Sequence, residues 1–443
     1  MAELTSEITV APSAMMTQSI DPRLIAMFSK ADSSVGVQGS FTHFVEPMRQ
    51  AGRDDTEYSF ELPNTGADYV DLKNIELYVR GKLMRKDGKA LVKDEKVVLA
   101  NNALHTLFDT ATVLIGHNQQ EVQMNNYPYK TYLRQLMVSK TTSPATRGHG
   151  FTVEDKTFID DVDDEMGFGV ARVQWTAMSK RVEFIGNTFI DCLQTEGYLM
   201  PATPLRITFK RSHDQLYTTT ATANVGVEYR FFIDKIGLYV PTVKVAPYMT
   251  PLLEMQTDEV PARYRFDAID ARQFPVPKST ITRTYSRVYQ GKIPSKMVIA
   301  FYRQDAFVGS RSRAALLTAE LDINRIQLYV NGIVIREHVL DFDEDVFLES
   351  YRRFTDWLGT THTEALFDEG QFKDGIAFFA FDMMENCHMT QCSEETLLTG
   401  FVDISIQMGK AVPAEMVMMV YAISPDVIDI SKERAARYTR VIV

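Results

Sequence analysis

Apolar and polar residues alternate along most of this chain. In the stretch 69–83 the apolar positions share one side of an extended backbone, namely Ile75, Leu77, Val79 and Leu83. The same period of two runs through 205–211, 225–240, 295–302, 401–408 and 415–423. Many short strands with few helices are typical of antiparallel sandwiches and barrels. The pattern therefore predicts an all-β protein with a few short helices.

The two halves of the chain repeat one local pattern. In the first half, apolar segments flank Gly116-His117 within "TVLIGHNQQEVQM", and the helix-like "YKTYLRQL" follows. In the second half, strands flank Asn331-Gly332 within "IQLYVNGIVIREHVL", and the helix-like "VFLESYRRFTDWL" follows. Asn-Gly between alternating strands is a strong hairpin signal. We interpret the repeat as a duplicated β domain in which each copy places one helix at the same point.

Both predicted helices carry an apolar stripe at helical spacing, which we expect to pack along one barrel and to do the same job in each half. Together with the hairpin, these stripes are the candidate structural and assembly residues. They are Tyr129, Tyr132, Leu133 and Leu136 in the first half, and Asn331, Gly332, Phe347, Tyr351, Phe354 and Leu358 in the second.

Changes in pattern along the chain suggest domain boundaries. Residues 1–50 lack sustained periodicity and are expected to form an N-terminal arm. Residues 247–277 contain prolines and acidic residues and are interpreted as the inter-domain connection. The predicted organisation is then a first barrel at 51–246, a second barrel at 278–425 and a basic C-terminal tail at 426–443.

Length and charge narrow the class of protein. The 443 residues are enough for two domains, and the 45% apolar content allows a large core. A net charge of -11 excludes nucleic-acid binding through bulk charge, so any DNA contact must be local. Three cysteines cannot form a disulfide framework. The longest apolar run, 416–423, is too short for a membrane-spanning helix, so we expect no membrane span.

The common catalytic and metal-binding motifs are absent from the sequence. No phosphate-binding P-loop and no His-Glu-x-x-His or Gly-x-Ser-x-Gly motif occurs. Cys387, His388 and Cys392 lack a fourth zinc ligand, because the remaining cysteine is the distant Cys192. The acidic runs 160–165 and 341–345 fit solvated loops better than calcium loops. His105, among apolar residues, is expected to be a hydrogen-bonded packing residue. We expect no enzyme activity, cofactor or metal.

One basic cluster stands out near the C-terminus. It consists of Lys432, Arg434, Arg437 and Arg440. The cluster fits a solvated tail, and the alternatives are contacts with a neighbouring subunit, a minor protein or packaged DNA.

Several separated segments resemble the major capsid proteins of Polinton (Maverick) elements and adintoviruses. The similarity lies in "ADYVDLKNIELYVRGKL", "LANNALHTLFDTATVLIGHNQQEVQMNNYPYKTYLRQLM", "GKIPSKMVIAFYRQDAFVGS", "LYVNGI" and "PAEMVMMVYAISPDVIDISKER", which span residues 67–434 in the expected order. The resemblance implies a double jelly-roll, with two eight-stranded antiparallel sandwiches in one chain. It also implies homotrimers with six barrels and an icosahedral capsid around double-stranded DNA.

The resemblance further implies partners and a location. These are penton and minor capsid proteins, packaged DNA through the termini if at all, synthesis in the host cytoplasm and assembly in the host nucleus. The alternative from another class is a double jelly-roll that binds carbohydrate or a receptor without forming a shell. It predicts a monomer with a concave aromatic site, yet Trp175 and Trp357 are the only tryptophans. A hydrolase using the acidic runs is a third possibility, and it predicts that Asp-to-Asn changes there abolish an activity.

Overall fold

A computed structural model describes residues 36–49, 55–62, 66–93, 95–138, 147–151, 168–221, 224, 226–319, 321–359, 367–383 and 399–440. The trio Cys387, His388 and Cys392, which lacks a fourth zinc ligand, and the acidic run 160–165 lie outside these residues.

Strands dominate the first half of the chain. They are β1 (Val37–Val45), β2 (Glu57–Glu61), β3 (Tyr69–Val70), β4 (Glu76–Arg85), β5 (Val97–Leu99), β6 (Phe108–Ile115), β7 (Gln120–Met124), β8 (Arg181–Asn187), β9 (Leu205–Arg211), β10 (Thr218–Thr220) and β11 (Tyr229–Val245). The helices are α1 (Ala103–Thr106), α2 (Tyr127–Val138), α3 (Phe168–Thr176) and α4 (Asp214–Tyr217), with 3-10 turns at Ala177–Ser179 and Asp191–Leu193.

Strands also dominate the second half of the chain. Its strands are β12 (Ala262–Val276), β13 (Thr282–Lys292), β14 (Lys296–Arg303), β15 (Ile323–Val330), β16 (Ile333–Val339), β17 (Phe378–Asp382), β18 (Thr399–Met408), β19 (Met416–Ile430) and β20 (Ala436–Thr439). Its helices are α5 (Thr250–Glu259), α6 (Gln304–Val308), α7 (Leu348–Trp357) and α8 (Glu369–Asp374).

Each half forms two main antiparallel sheets with one shared topology, and in the first half β5 and β10 form a further two-stranded sheet. In the first half the orders are β1-β11-β4-β8 and β2-β9-β6-β7, and in the second they are β12-β19-β14-β17 and β13-β18-β15-β16. If the eight main strands of each half are numbered along the chain, both halves have the orders 1-8-3-6 and 2-7-4-5. This is the jelly-roll arrangement of two Greek keys. The fold is thus a double jelly-roll, as expected, and α2 and α7 both follow the fifth strand.

We call the halves the first barrel and the second barrel, and the 1-8-3-6 sheet of each its long sheet. Each barrel has its own apolar core between its two sheets. The alternation seen in the sequence explains this placement, because Leu77, Val79 and Leu83 of β4 point inward and are fully buried.

Three of the predicted segments contain strands that belong to the sheets of the barrels. The predicted arm contains β1, which is the first strand of the first barrel and pairs with β11. Its residues are mostly exposed, so the alternation that marks a half-buried strand is missing. The predicted connection 247–277 contains α5 and the whole of β12. Pro275 does not interrupt this strand, because β12 lies at a sheet edge and pairs on one side only.

The predicted tail 426–443 is also part of the fold where it is described. Strand β19 continues to Ile430, and β20 then turns back to pair with it. The C-terminal segment is therefore part of the long sheet of the second barrel.

Candidate assembly surfaces

Helix α2 lies in the seam between the two barrels. All of its residues from Tyr127 to Leu136 are buried, which a helix covering a single sheet could not achieve. Tyr127 belongs to the core of the first barrel, where its hydroxyl donates to the carbonyl oxygen of Thr188 at 2.6 Å. The stripe Tyr129, Tyr132, Leu133 and Leu136 belongs instead to the core of the second barrel. Helix α2 thus joins the two barrels, because its stripe packs along the second barrel and not along the barrel to which the helix belongs.

Aromatic contacts fix the helix on the second barrel. The Tyr129 ring stacks on Phe307 with centroids 4.7 Å apart, and it meets the Tyr302 ring edge-on at 5.1 Å. Tyr132 packs against Phe378 with centroids 6.2 Å apart. Tyr302 and Phe378 share the outward face of the long sheet, because the inward positions alternate with them. Helix α2 therefore covers the outer face of this sheet.

Buried ionic contacts complete the seam. The Arg134 guanidinium donates to the Asp191 carboxylate at 3.0 Å and also to the carbonyl oxygen of Asp267 in the second barrel. The other oxygen of Asp191 accepts the Ile269 N–H at 3.0 Å. Burial lowers the pKa of the neighbouring Lys130 ammonium. Arg134 and Asp191 both belong to the first barrel, and each also bonds the backbone of β12 in the second, so the buried pair fixes the barrels relative to each other. Removing either partner would leave an uncompensated buried charge.

The C-terminal segment crosses the same seam. The Arg434 carbonyl oxygen accepts the His117 N–H at 2.9 Å, and its guanidinium donates to the Pro201 carbonyl oxygen at 2.8 Å. Arg440 pairs with Asp270 at 2.8 Å. The sequence predicted a solvated tail, but Arg434 and Arg440 make contacts within the chain. Lys432 and Arg437 of the same cluster are exposed.

Helix α7 is used differently from α2. Phe347, Phe354 and Leu358 are buried and Tyr351 is half-buried, all within the core of the helix's own barrel. Phe354 stacks on Phe378 with centroids 5.3 Å apart, and the Tyr351 hydroxyl donates to the carbonyl oxygen of Phe367 at 2.9 Å. The two helices occupy the same position in the topology but pack differently, contrary to the sequence-based expectation. Helix α2 packs against the other barrel, and α7 packs against its own. The opposite side of α7, with Leu348, is exposed.

The predicted Asn-Gly hairpin is confirmed and leads into an unusual edge strand. Asn331 (φ 53°) and Gly332 (φ 81°) form the tight reversal between β15 and β16, and the Asn331 side-chain oxygen accepts the Phe401 N–H at 3.0 Å. In the described ranges, strand β16 pairs with β15 alone. Its exposed apolar residues are Ile333, Val334, Ile335 and Val339, and Val346 and Leu348 are exposed nearby. Uncovered apolar edge strands are rare on monomers.

The equivalent edge of the first barrel is already covered. Strand β7 is the topological counterpart of β16, but its sequence is polar, with Glu121 and Gln123 exposed. Strand β20 lies against it, and the Asn118 side-chain amide donates to the Ala436 carbonyl oxygen at 2.7 Å. Among the described residues, the same edge is therefore covered within the chain in one barrel and open in the other.

The outer face of the first barrel's long sheet is also exposed in the part of the chain that the structure describes. Phe44, Tyr78 and Tyr239 form an aromatic group with centroids 5.0–6.1 Å apart, and the Lys235 ammonium lies 4.4 Å from the Phe44 ring centroid. Ile185, the ladder partner of Tyr78, is exposed beside them. This face corresponds to the one that α2 covers on the second barrel. From the sequence, Tyr78 was a polar-side position of a strand and Phe44 fell in the predicted arm, so neither pointed to this group.

The residues considered for chemistry have packing roles where they are described. His105 is buried, with one ring nitrogen 2.8 Å from the Tyr127 hydroxyl and the other 2.9 Å from a His149 ring nitrogen. Burial lowers the pKa of His149 to about 4 and that of His105 well below its usual value. Cys192 is buried. The run 341–345 forms a mostly exposed loop with ion pairs to lysines.

Two searches of the described residues were negative. They contain no group of three or more His, Cys, Asp or Glu side chains placed to hold a metal ion. Within the same ranges, no helix has the length and apolar character needed to cross a membrane.

Comparisons with known proteins find the same fold. No family model matches the chain, and no curated protein sequence matches it. The structure of the Sputnik virophage contains a chain with 10% identity and a TM-score of 0.59, and the match covers 99% of this chain and 95% of that one. The mavirus major capsid protein has 10% identity and a TM-score of 0.53, with 100% and 97% of the two chains covered. PBCV-1 VP54 has 9% identity and a TM-score of 0.54, with 91% and 96% covered.

At such low identity the similarity establishes the fold alone. It extends over nearly the whole length of both chains in each comparison. The described residues of this chain therefore have the double jelly-roll architecture that the chain shares with the mavirus major capsid protein.

Proposed function

We propose that this chain is the major capsid protein of a double-stranded DNA virus or virus-like element of the Polinton and adintovirus type. Three copies form a capsomer of six barrels, and capsomers assemble into an icosahedral shell. The observation that carries the proposal is the seam within the chain. It uses the helix and edge of the first barrel and the long sheet of the second, and it leaves the complementary surfaces open.

The open surfaces are two halves of one further seam. The edge strand β16 and the exposed side of α7 correspond to β7 and α2, and the long sheet of the first barrel corresponds to that of the second. A head-to-tail contact between copies brings these halves together, and such contacts form closed rings when the rotation permits. Three copies then give six barrels with six similar seams.

Burial of apolar surface supplies the stability of such a ring. Obligate interfaces commonly bury more than about 2,000 Å². The exposed Ile333, Ile335 and Leu348 meet the aromatic group around Tyr78 in this arrangement. The contact requires no cofactor or enzyme activity, because its energy comes from burial.

Contacts outside the trimer complete the proposal. Because the net charge is -11, the chain as a whole does not attract DNA. Contacts with packaged DNA are made through the termini, where Lys432 and Arg437 are exposed. Penton and minor capsid proteins are the other partners. The chain is made in the host cytoplasm, assembles in the host nucleus and resides in the virion capsid.

Light scattering after size exclusion, followed by negative-stain microscopy, tests the assembly. The proposal predicts a particle of three times the 50.3 kDa chain mass with a hexagonal outline, or closed shells. Ile333→Lys should give a folded monomer, because it places a charge on the edge strand, whereas Val92→Lys on an exposed loop of the first barrel should not. A wild-type monomer at every salt concentration and pH refutes the proposal and favours the carbohydrate- or receptor-binding alternative.

A further inference from the structure

Helix α5, which links the two barrels, exposes apolar residues on its outer side. Leu253 and Thr257 lie on its inner side, where the Thr257 hydroxyl contacts the Met200 sulfur at 3.8 Å. Leu252 and Met255 project from the opposite side, and 58% and 67% of their surfaces are exposed. The outer side of a surface helix ordinarily carries polar residues. These two side chains therefore indicate a contact surface.

The seam within the chain shows what the segment after an eighth strand contacts. The eighth strands β11 and β19 end at equivalent places, because Val245 and Ile430 each pair with the first residue of their barrel's first strand. Four residues after Ile430, the Arg434 carbonyl oxygen accepts the N–H of His117 in the turn of the β6–β7 hairpin. Four residues after Val245 lies Met249, directly before α5. Helix α5 thus begins where the first barrel's counterpart of this hairpin contact falls.

The hairpin turn of the first barrel is tightly covered, and that of the second is open. The Asn118 side chain and the Ala436 backbone exchange hydrogen bonds of 2.7 and 2.9 Å, and a methyl group at Gly116 would lie 2.7 Å from the Arg434 carbonyl oxygen. In the β15–β16 hairpin, a methyl group at Gly332 would meet no atom of the described structure within 4 Å. Val334, beside this turn, is 44% exposed. The β15–β16 turn therefore has room for the partner that the β6–β7 turn already has.

We infer that the tip of the β15–β16 hairpin of one copy docks on α5 of the next copy, with Val334 against Leu252 and Met255. The inference rests on the proposed function, because its occupant is a second copy in the ring. It follows from the similarity of the seams, since each pairs a hairpin turn with the segment after an eighth strand. Burial of the apolar side chains of α5 stabilises the contact.

Dilution of the full chain, followed by light scattering, gives the concentration at which half of the chains are trimeric. Leu252→Lys should raise this concentration at least about tenfold, because it places an ammonium group in the apolar contact. The helix is retained, since lysine and leucine have similar helix propensities. Ile281→Lys is the matched control at a residue that is 57% exposed before β13, and it should change the concentration by less than about twofold.

The outcomes separate this inference from the proposed function. A wild-type trimer in which Leu252→Lys dissociates no more readily than Ile281→Lys overturns the docking site and leaves the proposed function standing. A wild-type chain that is monomeric at every concentration overturns both. If Leu252→Lys does not fold, as judged by circular dichroism, Met255→Lys replaces it with the same expected result.

A charge pair identifies the partner of α5. Val334→Glu alone should weaken the trimer, and combining it with Leu252→Lys should recover at least about threefold of the loss, because the lysine of one copy meets the glutamate of the next. Combining Val334→Glu with Ile281→Lys should recover nothing. A Leu252→Lys, Val334→Glu protein that dissociates at least as readily as each single variant overturns the pairing of α5 with this hairpin.

Discussion

Tyr129 of the first barrel stacks on Phe307 of the second, with ring centroids 4.7 Å apart and planes inclined by 30°. The Tyr129 hydroxyl also donates to the Phe307 carbonyl oxygen at 3.4 Å. The two residues are distant in sequence and belong to different jelly-rolls. Their contact joins the two barrels and forms part of the seam between them.

Removing this aromatic contact should destabilise the chain. Tyr129→Ala leaves a cavity between Tyr302 and Phe307, and we expect the free energy of unfolding to fall by about 3 kcal/mol. Urea unfolding followed by circular dichroism measures the change. Tyr198→Ala, at an exposed tyrosine of the first barrel, is the matched control and should cost less than about 1 kcal/mol. Equal effects of the two changes would contradict a role of Tyr129 in the seam.

A charge in the same stripe should have a larger effect. Tyr132→Asp places a carboxylate against Phe151 and Phe378 in the apolar part of the seam. We expect impaired folding or assembly, detected as a lower melting temperature and a loss of trimer. A variant with the wild-type melting temperature and an intact trimer would show that the stripe does not carry the seam.

The buried ion pair of the seam should also matter for stability. Arg134→Met leaves the Asp191 carboxylate without its cation, so the free energy of unfolding should fall by about 3 kcal/mol. Arg352→Met, which removes a surface pair with Asp356, should change it by less than about 1 kcal/mol. The double variant Arg134→Met, Asp191→Asn should recover part of the loss, because the amide oxygen can still accept the Ile269 N–H. No recovery would argue against an uncompensated charge as the cause.

Acid should weaken the fold through buried histidines. Burial lowers the pKa of His149 and of His338 to about 4, against 6.5 for an unburied histidine. Their contribution is complete above pH 6.5 and is lost as the pH falls towards 4, because the unfolded chain binds protons first. For each of these histidines, the free energy of unfolding should fall by up to about 1.4 kcal/mol for each unit by which the pH drops below 6.5.

Urea unfolding at pH 7.5, 6.0 and 5.0 measures this slope. The His338 ring bonds the Ser350 hydroxyl at 2.7 Å and the Ala380 carbonyl oxygen at 3.0 Å, which the neutral ring satisfies. His338→Gln should therefore flatten the slope, whereas His117→Gln at an exposed position should keep it. An unchanged slope in His338→Gln would exclude His338 as a source of acid sensitivity.

At Gly332 the reversal before β16 depends on backbone conformation. Gly332 has a φ of +81°, and a methyl group there would meet no atom within 4 Å. Gly332→Ala should therefore lower the free energy of unfolding by about 1 kcal/mol through backbone strain. Gly226→Ala, equally open but without a positive φ, should have little effect. Equal melting temperatures of the two variants would contradict the positive φ.

The strands and their duplication follow from the sequence because they depend on local patterns. The alternation of Leu77 and Val79 with polar residues predicts a strand, and Asn331-Gly332 predicts a tight turn. Both predictions need only neighbouring residues. The repeated order of hairpin and helix likewise reflects the shared topology. Strand β1 escaped prediction because it is mostly exposed and lacks alternation.

The surfaces could not be predicted in the same way. Helical spacing shows that Tyr129 and Tyr132 share a face, but it does not show which barrel that face meets. Apolar residues such as Ile333 and Ile335 look like core positions, and only the sheet order reveals that their strand is an uncovered edge. Likewise, Arg434 and Arg440 look like a free basic tail until their partners in the seam are known. Such partners are distant in sequence and leave no local signal.

Cross-linking between chains tests most directly whether β16 of one copy meets the long sheet of the first barrel of another. Ile333→Cys and Ile185→Cys are combined in a background with Cys387 and Cys392 changed to serine, and a bismaleimide is added. We expect a covalent species of three chains that does not grow further, and no cross-linking in either single-cysteine variant, because each contact joins two different faces. Dimers from a single-cysteine variant, or an open ladder beyond three chains, would contradict it.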